Sequence, residues 1–253
     1  MKRRLNKFYI AILIISIFSS ILLYSSFNPV SGNFYVSITF DDSYENQFLN
    51  AFPVLQKKGI NATVYAIANL TGKYFEGHKL MTIDQLNELK QSGWEIGSHT
   101  FTHPDLTNLS SGDLTYELEQ SKKYLLENGF LVKSLAIPYG KYNEEVRKKS
   151  ILYYDSVRTS VVGMNSVDKI DRYELKSFDV KNTTSLNEME KWVGSLKNGK
   201  NGWLIIMVHH VVNDKSSLLY SITPKDLEGL VSYIQEKNIP IKTVSEVLNE
   251  IKT

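Results

Sequence analysis

The chain has 253 residues, 42% of them hydrophobic and 22% charged, a composition that suits one globular domain with a sizeable core. The formal net charge is +2 and the basic residues form no dense stripe beyond the N-terminus, which argues against a nucleic-acid partner. Cysteine is absent, which excludes disulfides and thiolate chemistry, so any metal must be held by His, Asp or Glu.

The N-terminus carries a targeting pattern. Four basic residues in the first seven positions precede an apolar run from Phe8 to Tyr24, an order typical of a signal peptide or signal anchor. The run is close to the lower limit of about 17 residues for a membrane-spanning helix. We interpret residues 1–28 as a signal peptide or membrane anchor, favouring the anchor because no clean cleavage site follows, and residues 29–34 as a short linker. The remainder is then expected outside the cytoplasm, either anchored or secreted.

From residue 35 to residue 253, β-rich runs alternate with helix-like segments. The expected strands are Tyr35–Phe40, Ala62–Ile67, Trp94–Ser98, Leu131–Pro138, the run around Arg158, Leu175–Phe178, Trp203–His209 and Ile241–Thr243. The expected helices are Glu45–Lys58, a segment opened by a Thr82/Gln85 capping box, Asp113–Glu127, a segment opened by a Ser185/Glu188 capping box, a segment opened by Thr223-Pro224, and Val244–Ile251. This alternation predicts a single α/β domain with a parallel sheet, either a closed barrel or an open doubly wound sheet.

Four polar clusters each follow a predicted strand directly. They are Asp41-Asp42, His99 to His103 (HTFTH), Pro138-Tyr139-Gly140 and His209-His210. Because all C-terminal strand ends of a parallel sheet open on one side, these clusters are expected to converge there. One carboxylate and two imidazoles can hold a Zn²⁺-like ion, a second carboxylate can act as a base, and a separate His as an acid.

Each cluster taken singly has an ordinary explanation. An Asp pair at a strand end is often a helix cap, PYG is a common turn signal, and His209 alone could be a satisfied core residue. The functional interpretation therefore depends on the four clusters occurring together.

These motifs resemble those of the polysaccharide deacetylases, carbohydrate esterase family 4. TFDDS (residues 39–43), HTFTH (99–103), IPYG (137–140) and the apolar run ending at His209 occur in the family's order, and the resemblance extends from about residue 35 to the C-terminus. It implies a distorted (β/α)-barrel, usually with seven strands, and so favours the barrel over the open sheet.

The resemblance also implies a role for each matching residue. The metal ligands would be Asp42, His99 and His103; the catalytic base Asp41; the general acid His209; and an oxyanion donor the backbone N–H of Tyr139. Strand alternation predicts that His210 points to the face opposite His209.

Three departures from the family pattern stand out, and two further assignments rest on position alone. Ser43 replaces the Gly that often follows Asp-Asp, and Ala136 replaces an Arg that pairs with the catalytic Asp in many members. Deacetylases of poly-N-acetylglucosamine also lack that Arg, and this chain resembles their branch; Arg158 is our candidate for a substitute cation, with a surface position as the alternative. The fourth motif, which orients the acid His, is not clear; Asp179 is its best match. Trp203 either lines the pocket for the acetyl methyl group or belongs to the core.

The sequence therefore predicts a metal-dependent hydrolase that removes N-acetyl groups from an amino-sugar polymer. The expected metal is Zn²⁺, with Co²⁺ or Ni²⁺ as substitutes, and the expected partners are a glycan and, through the N-terminal segment, a membrane. The alternatives are a hydrolase of a small non-glycan amide, a non-catalytic carbohydrate-binding relative and a structural membrane-surface protein. The targeting segment disfavours the first, and the combined base and acid disfavour the second.

Overall fold

A closed barrel of seven parallel strands forms the body of the protein. The computed structural model describes residues 33–196 and 201–251. Its strands neighbour one another in chain order, and the last, Gly202–Val208, pairs with the first, Phe34–Phe40, over all seven residues of each strand to close the barrel. The barrel strands are β1 (Phe34–Phe40), β2 (Thr63–Ala66), β5 (Glu95–Ser98), β6 (Ser134–Ala136), β7 (Ser156–Val162), β8 (Leu175–Asp179) and β9 (Gly202–Val208). The predicted seven-stranded barrel in a single α/β domain is thus confirmed.

Helices pack around the barrel, and two small strand pairs extend it. The helices are α1 (Phe52–Lys57), α2 (Ile83–Gln91), α3 (Ser111–Glu127), α4 (Glu144–Ser150), α5 (Leu186–Ser195), α6 (Pro224–Glu236) and α7 (Val244–Glu250). The strand pairs are the antiparallel hairpin β3 (Tyr74–Phe75) with β4 (His78–Lys79), and the parallel pair β10 (His210–Val211) with β11 (Ser221–Ile222).

The strands alternate between two environments, as expected for a period of two residues. In β1, Val36, Ile38 and Phe40 belong to the large apolar cluster between strands and helices. The residues between them point into the barrel, where the Ser37 hydroxyl accepts a hydrogen bond from the Trp203 indole at 2.9 Å. The barrel interior is therefore a mixed polar and aromatic core, and the main apolar core lies outside the strands.

Most predicted helices and strands are present, three of them in altered form. The helix predicted from Glu45 begins with a π-helical turn at Gln47–Ala51 before α1. The strand predicted at Leu131–Pro138 shrinks to β6, and the one at 241–243 is only a bridge between Ile241 and Val36. The Thr82/Gln85 capping box forms as predicted. The hairpin β3–β4 was not predicted.

The predicted signal or anchor segment, residues 1–28, lies outside the described residues. Across residues 33–196 and 201–251, no helix combines the length and apolarity needed to cross a membrane.

One carboxylate ties the C-terminal helix to the N-terminal end of the barrel. Glu95, the first residue of β5, accepts hydrogen bonds from Thr63 Oγ1 (3.1 Å), Ser134 Oγ (2.6 Å), Ser245 N (2.8 Å) and Ser245 Oγ (2.6 Å). These partners come from β2, β6 and α7, so one side chain links three elements that are distant in sequence.

We expect Glu95→Ala to lower the free energy of unfolding by about 2–3 kcal/mol, because hydrogen bonds to a charged group contribute more than neutral ones. Urea unfolding followed by circular dichroism measures this change. Glu119→Ala, which removes an exposed carboxylate on α3, is the matched control and should change stability by less than about 0.5 kcal/mol. Equal effects of the two substitutions would contradict this role for Glu95.

Candidate active site

A cleft of about 980 Å³ opens at the carboxyl ends of the barrel strands. The four polar clusters predicted to converge all reach it. Its lining includes Asp41, Asp42, His99, His103, Tyr139, His209 and His210. Residues separated by up to 169 positions in sequence thus meet in one cavity because their strands end on the same side.

Three of these residues form a compact group of potential metal ligands. Asp42 Oδ1 lies 3.4 Å from His99 Nε2 and 3.2 Å from His103 Nε2, and the two Nε2 atoms are 3.2 Å apart. His99 Nδ1 donates a hydrogen bond to the carbonyl of Ala136 at 2.9 Å, which leaves the Nε2 lone pair facing the group. Asp42, His99 and His103 are all at least nine-tenths buried and converge as ligands of one divalent ion would.

The electrostatics of the group suit a metal. Burial lowers the pKa of His99 to about 4, with Asp41 opposing the shift, so the imidazole is neutral at physiological pH. Burial alone would raise the pKa of Asp42, but the polar contact with His103 and the electrostatic influence of the nearby histidines hold it well below its usual range. Ligands must be deprotonated to bind a metal, and Asp42 Oδ1 is buried without a hydrogen-bond partner. These residues therefore fit a divalent ion with one oxygen and two nitrogen ligands.

The second carboxylate, Asp41, is held from one side only. Its Oδ2 forms an ion pair with Arg158 Nη2 and lies 3.8 Å from His99 Nε2, while its Oδ1 is buried without a partner. Arg158 is therefore inside the barrel, 1% exposed, and not on the surface. It is the direct register partner of Ala136 in the β6–β7 pair, so the neighbouring strand supplies the cation at the same level.

Arg158 is itself fixed by its surroundings. The Tyr65 ring lies 5.4 Å from the guanidinium carbon, and Nη1 donates a hydrogen bond to Met207 Sδ at 2.8 Å. Gly97 makes room for Tyr65, since a Cβ at position 97 would come within 2.5 Å of that ring. A strand position without a side chain thus permits the aromatic residue against which the arginine packs.

His209 stands on the other side of the cleft with an acidic neighbour. Asp179, the last residue of β8, places Oδ1 3.7 Å from His209 Nδ1, and neither atom has a hydrogen-bond partner. Burial raises the pKa of Asp179 to about 6, while His209 opposes the shift. The structure therefore brings together the His and the Asp that the sequence paired only by position.

His210 lies where sequence reasoning did not expect it, and Trp203 occupies the core position, the second of its two expected places. His210 does not point away from His209, because β9 ends at Val208 and strand alternation stops there; both rings line the cleft. Trp203 does not line the pocket, because it lies near the N-terminal start of β9. It is fully buried at the opposite end of the barrel, in a cluster with Tyr35 and Leu175.

The backbone around the site adopts a rare conformation. Asp42, Ser43, Thr100, His103 and Tyr139 all have φ between 56° and 68°, the left-handed region that non-glycine residues seldom occupy. The value of 58° at Ser43 explains why Gly suits this position, and here the Ser43 hydroxyl donates to the Asp42 carbonyl at 2.5 Å. Such strain costs on the order of 1–3 kcal/mol per residue and persists where the surroundings enforce it.

The turn that carries Tyr139 needs the glycine that follows it. Gly140 has φ 64°, and a Cβ there would fall 1.6 Å from Ser160 Oγ. The close approach of Ser160 fixes the Pro138–Gly140 turn, and the Tyr139 ring lies 4.7 Å from that of His103. The residue proposed to supply a backbone donor is thus positioned directly beside the ligand group.

Two buried side chains that sequence reasoning missed hold the site's loops. Glu117 on α3 accepts hydrogen bonds from Phe101 N and Thr102 N, both at 2.9 Å, and from Thr102 Oγ1 at 2.5 Å. It therefore fixes the loop between His99 and His103. No motif marks such a residue, because its partners are backbone groups brought together only by the fold.

The other is Gln47, the first residue of the π-helical turn. Its Nε2 donates to the carbonyls of Asp41 and His209, each at 2.6 Å. One amide thereby sets the spacing between the ends of β1 and β9, where the candidate base and acid lie.

Aromatic residues outside the predicted motifs complete the walls of the cleft. They are Tyr44, Phe75, His78, Phe178, Trp192 and Tyr220. Phe75 and His78 come from the unpredicted hairpin β3–β4, whose Glu-Gly turn between aromatic residues is the signal that would have identified it.

Comparison with known proteins agrees with this site. The family model described as "Polysaccharide deacetylase" matches residues 30–152. The poly-beta-1,6-N-acetyl-D-glucosamine N-deacetylase of Staphylococcus aureus (strain MSSA476) is 32% identical over 151 residues, covering 53% of this chain and 51% of that protein. The chain spans 39–57% of the length of the first curated relatives that it matches.

Solved structures show the same fold. BC0361, a polysaccharide deacetylase from Bacillus cereus, is 26% identical with a TM-score of 0.53, covering 61% of this chain and 50% of that one. The Xyl-CE4 domain of a multidomain xylanase from the hindgut metagenome of Trinervitermes trinervoides has a TM-score of 0.62 at 20% identity, covering 87% and 91% of the two chains. The motifs converge in one cleft of a seven-stranded barrel, and over residues 30–152 the chain is similar to the polysaccharide deacetylases, carbohydrate esterase family 4.

Proposed function

We propose that this protein is a hydrolase that removes N-acetyl groups from an N-acetylglucosamine-containing polymer, giving acetate and a free amine. The observation that carries the proposal is the placement of Asp41 beside the ligand group. One oxygen of Asp41 is paired with Arg158, and the other is buried and unpaired. A binding protein has no need of such a base beside three metal ligands.

Asp42, His99 and His103 would hold the metal. A divalent ion there would polarise the acetamide carbonyl and favour ionisation of the attacking water. Asp41 Oδ1 takes the proton from that water as the new C–O bond forms. Arg158 is a positioning residue, because it holds Oδ2 and so leaves Oδ1 as the atom that accepts the proton.

The remaining groups act on the oxyanion and on the leaving amine. The Tyr139 N–H donates to the oxygen that becomes negative in the transition state, a type of contact whose removal costs about 3–4 kcal/mol in other hydrolases. His209 gives a proton to the sugar nitrogen as the C–N bond breaks, since an unprotonated amide anion is a very poor leaving group. Asp179 lies 3.7 Å from His209 Nδ1 and is the acidic neighbour of that ring.

The shape of the cleft supports a sugar substrate. It is large enough for more than a small amide, and aromatic side chains stand on both walls. The staphylococcal relative makes a β-1,6-linked N-acetylglucosamine polymer the first substrate to test. The N-terminal basic and apolar pattern supports a location outside the cytoplasm, with the domain anchored to the membrane or secreted.

The test of the proposal is acetate release by the full-length protein from oligomers of β-1,6-linked N-acetylglucosamine, chitooligosaccharides and peptidoglycan fragments. We expect release that a chelator abolishes and that added Zn²⁺ restores. Protein that binds Zn²⁺ but frees no acetate from any of these polymers would contradict the proposal and favour a small-amide hydrolase or a carbohydrate-binding relative.

Substitution of each of the two adjacent carboxylates should have a different effect on activity and on metal binding. Asp41→Asn should lower kcat by about 10²–10⁴-fold while leaving Zn²⁺ content intact, because it removes the base and no ligand. Asp42→Asn should lower Zn²⁺ affinity as well, measured by competition with a chromogenic chelator. Loss of metal from Asp41→Asn with retention in Asp42→Asn would show that the two roles are reversed.

The Asp41–Arg158 pair should also be visible in stability. Arg158→Ala leaves a buried carboxylate unpaired and should lower the free energy of unfolding by about 3–5 kcal/mol, measured by urea unfolding. The double variant Ala136→Arg/Arg158→Ala returns a guanidinium from the adjacent strand at the same level. We expect it to regain part of both stability and activity, and a double variant no more stable than Arg158→Ala would contradict this exchange.

A further inference from the structure

His210 lies in the cleft, and the mechanism above does not use it. Its side chain is 7% exposed and packs face to face with Tyr44, with ring centroids 3.9 Å apart and an interplanar angle of 25°. The His78 ring stands 4.7 Å away. Packing is one role for a buried imidazole between two aromatic neighbours. The contacts of its two ring nitrogens show whether it has another.

The hydrogen bonds of Asn46 assign the proton on the His210 ring. Asn46 Oδ1 accepts from Val211 N at 3.0 Å, which fixes the orientation of the amide. Its Nδ2, 2.9 Å from His210 Nδ1, must then be the donor of that contact. Because Nδ1 accepts, the ring is neutral and its proton is on Nε2.

Other amides hold the segment that carries this ring. Asn50 Nδ2 donates to the Val211 carbonyl at 2.7 Å, and Gln47 Nε2 donates to the His209 carbonyl at 2.6 Å. Both amides come from the π-helical turn, which follows directly from Asn46. Three amides, those of Asn46, Gln47 and Asn50, therefore fix the ring and the segment that carries it before any ligand arrives. Such preorganisation lowers the entropic cost of binding.

The Nε2–H has no protein acceptor among the residues that the structure describes, although His210 lines the cleft beside the ligand group. When a substrate covers the cleft, this donor loses its access to water, and an acceptor on the substrate then avoids the free-energy cost of burying it unpaired. A phenylalanine would pack on Tyr44 equally well, so packing alone does not account for the imidazole.

We propose that His210 is a substrate-binding residue whose Nε2–H donates to an oxygen of the sugar unit that carries the reacting acetamide. Asn46 is its positioning residue, since it selects the tautomer and the ring orientation. This inference rests on the proposed function, because it assigns a second polar contact to the same sugar.

The first test is His210→Phe, which keeps the stack on Tyr44 and removes both nitrogens. With a tetramer of β-1,6-linked N-acetylglucosamine as substrate, KM should rise about 3- to 10-fold, the value of one net hydrogen bond. The kcat should stay within about twofold, because the contact exists in both ground and transition states. An unchanged KM would overturn the proposal. So would a KM effect that accompanies a large loss of thermal stability, since that would indicate a structural role.

The second test is Asn46→Asp, which keeps the acceptor for Val211 N but replaces the donor with a carboxylate oxygen. At a pH where the ring stays neutral, its proton should move from Nε2 to Nδ1, and KM should then rise as in His210→Phe. Two-bond ¹H–¹⁵N correlation spectra distinguish the tautomers, and the His210 signals are those missing from His210→Phe. Asn249→Asp, at an exposed position of α7 at the far end of the barrel, is the matched control and should change neither the tautomer nor KM.

The outcomes separate this inference from the proposed function. A wild-type spectrum with the proton on Nδ1 would overturn the role of His210 whether or not the protein releases acetate. If the wild type frees no acetate, the deacetylase proposal fails, and the tetramer's Kd, measured by titration, replaces KM as the test of His210. A Kd that is the same for wild type and His210→Phe would then overturn the inference.

Discussion

Asp41 and Arg158 carry opposite charges at the upper end of the barrel interior, where both are at most 2% exposed. A charge buried to this degree is tolerated only with its partner, so the pair constrains the barrel around it. Gly97 has no side chain so that Tyr65 fits, and Tyr65 in turn supports the guanidinium. As a result, Asp41 Oδ2 is paired with Arg158, and Asp41 Oδ1 remains free of any hydrogen-bond partner among the described residues.

Regular patterns in the sequence predicted a parallel α/β domain with converging polar clusters, and the resemblance to the deacetylase family selected the barrel and assigned the roles. Strand alternation and the polar clusters after strands require only local information, and they placed Asp41 and His209 correctly in one cleft. The position of Trp203 was open because alternation gives the face of a strand but not the distance along the barrel axis. The predicted orientation of His210 was wrong because the alternation of side chains stops where the strand ends. Glu117 was missed because its partners are backbone N–H groups, which leave no trace in sequence.

The site also shows how a fold maintains conformations that its residues disfavour. Left-handed residues occur on three separate loops, and each of those loops is held by a specific contact. Glu117 binds the loop between the two histidines, Ser160 approaches the Tyr139 turn, and Gln47 joins the ends of β1 and β9. The strained backbone is thus a property of the assembled domain, and local sequence preference alone would not produce it.

The seam between β1 and β9 has a consequence for how the domain is made. These strands pair along their full length although more than 160 residues separate them. The entropic cost of closing this long loop therefore arises before the strand contacts can offset it. Asp41 follows one strand of the seam and His209 the other, and Asp41 N donates to the carbonyl of Val208. During synthesis, Asp42, His99 and His103 all precede the last barrel strand, but the candidate base and acid come together only when that strand has docked. The candidate site is therefore completed at the step that closes the barrel, after all its other elements are in place.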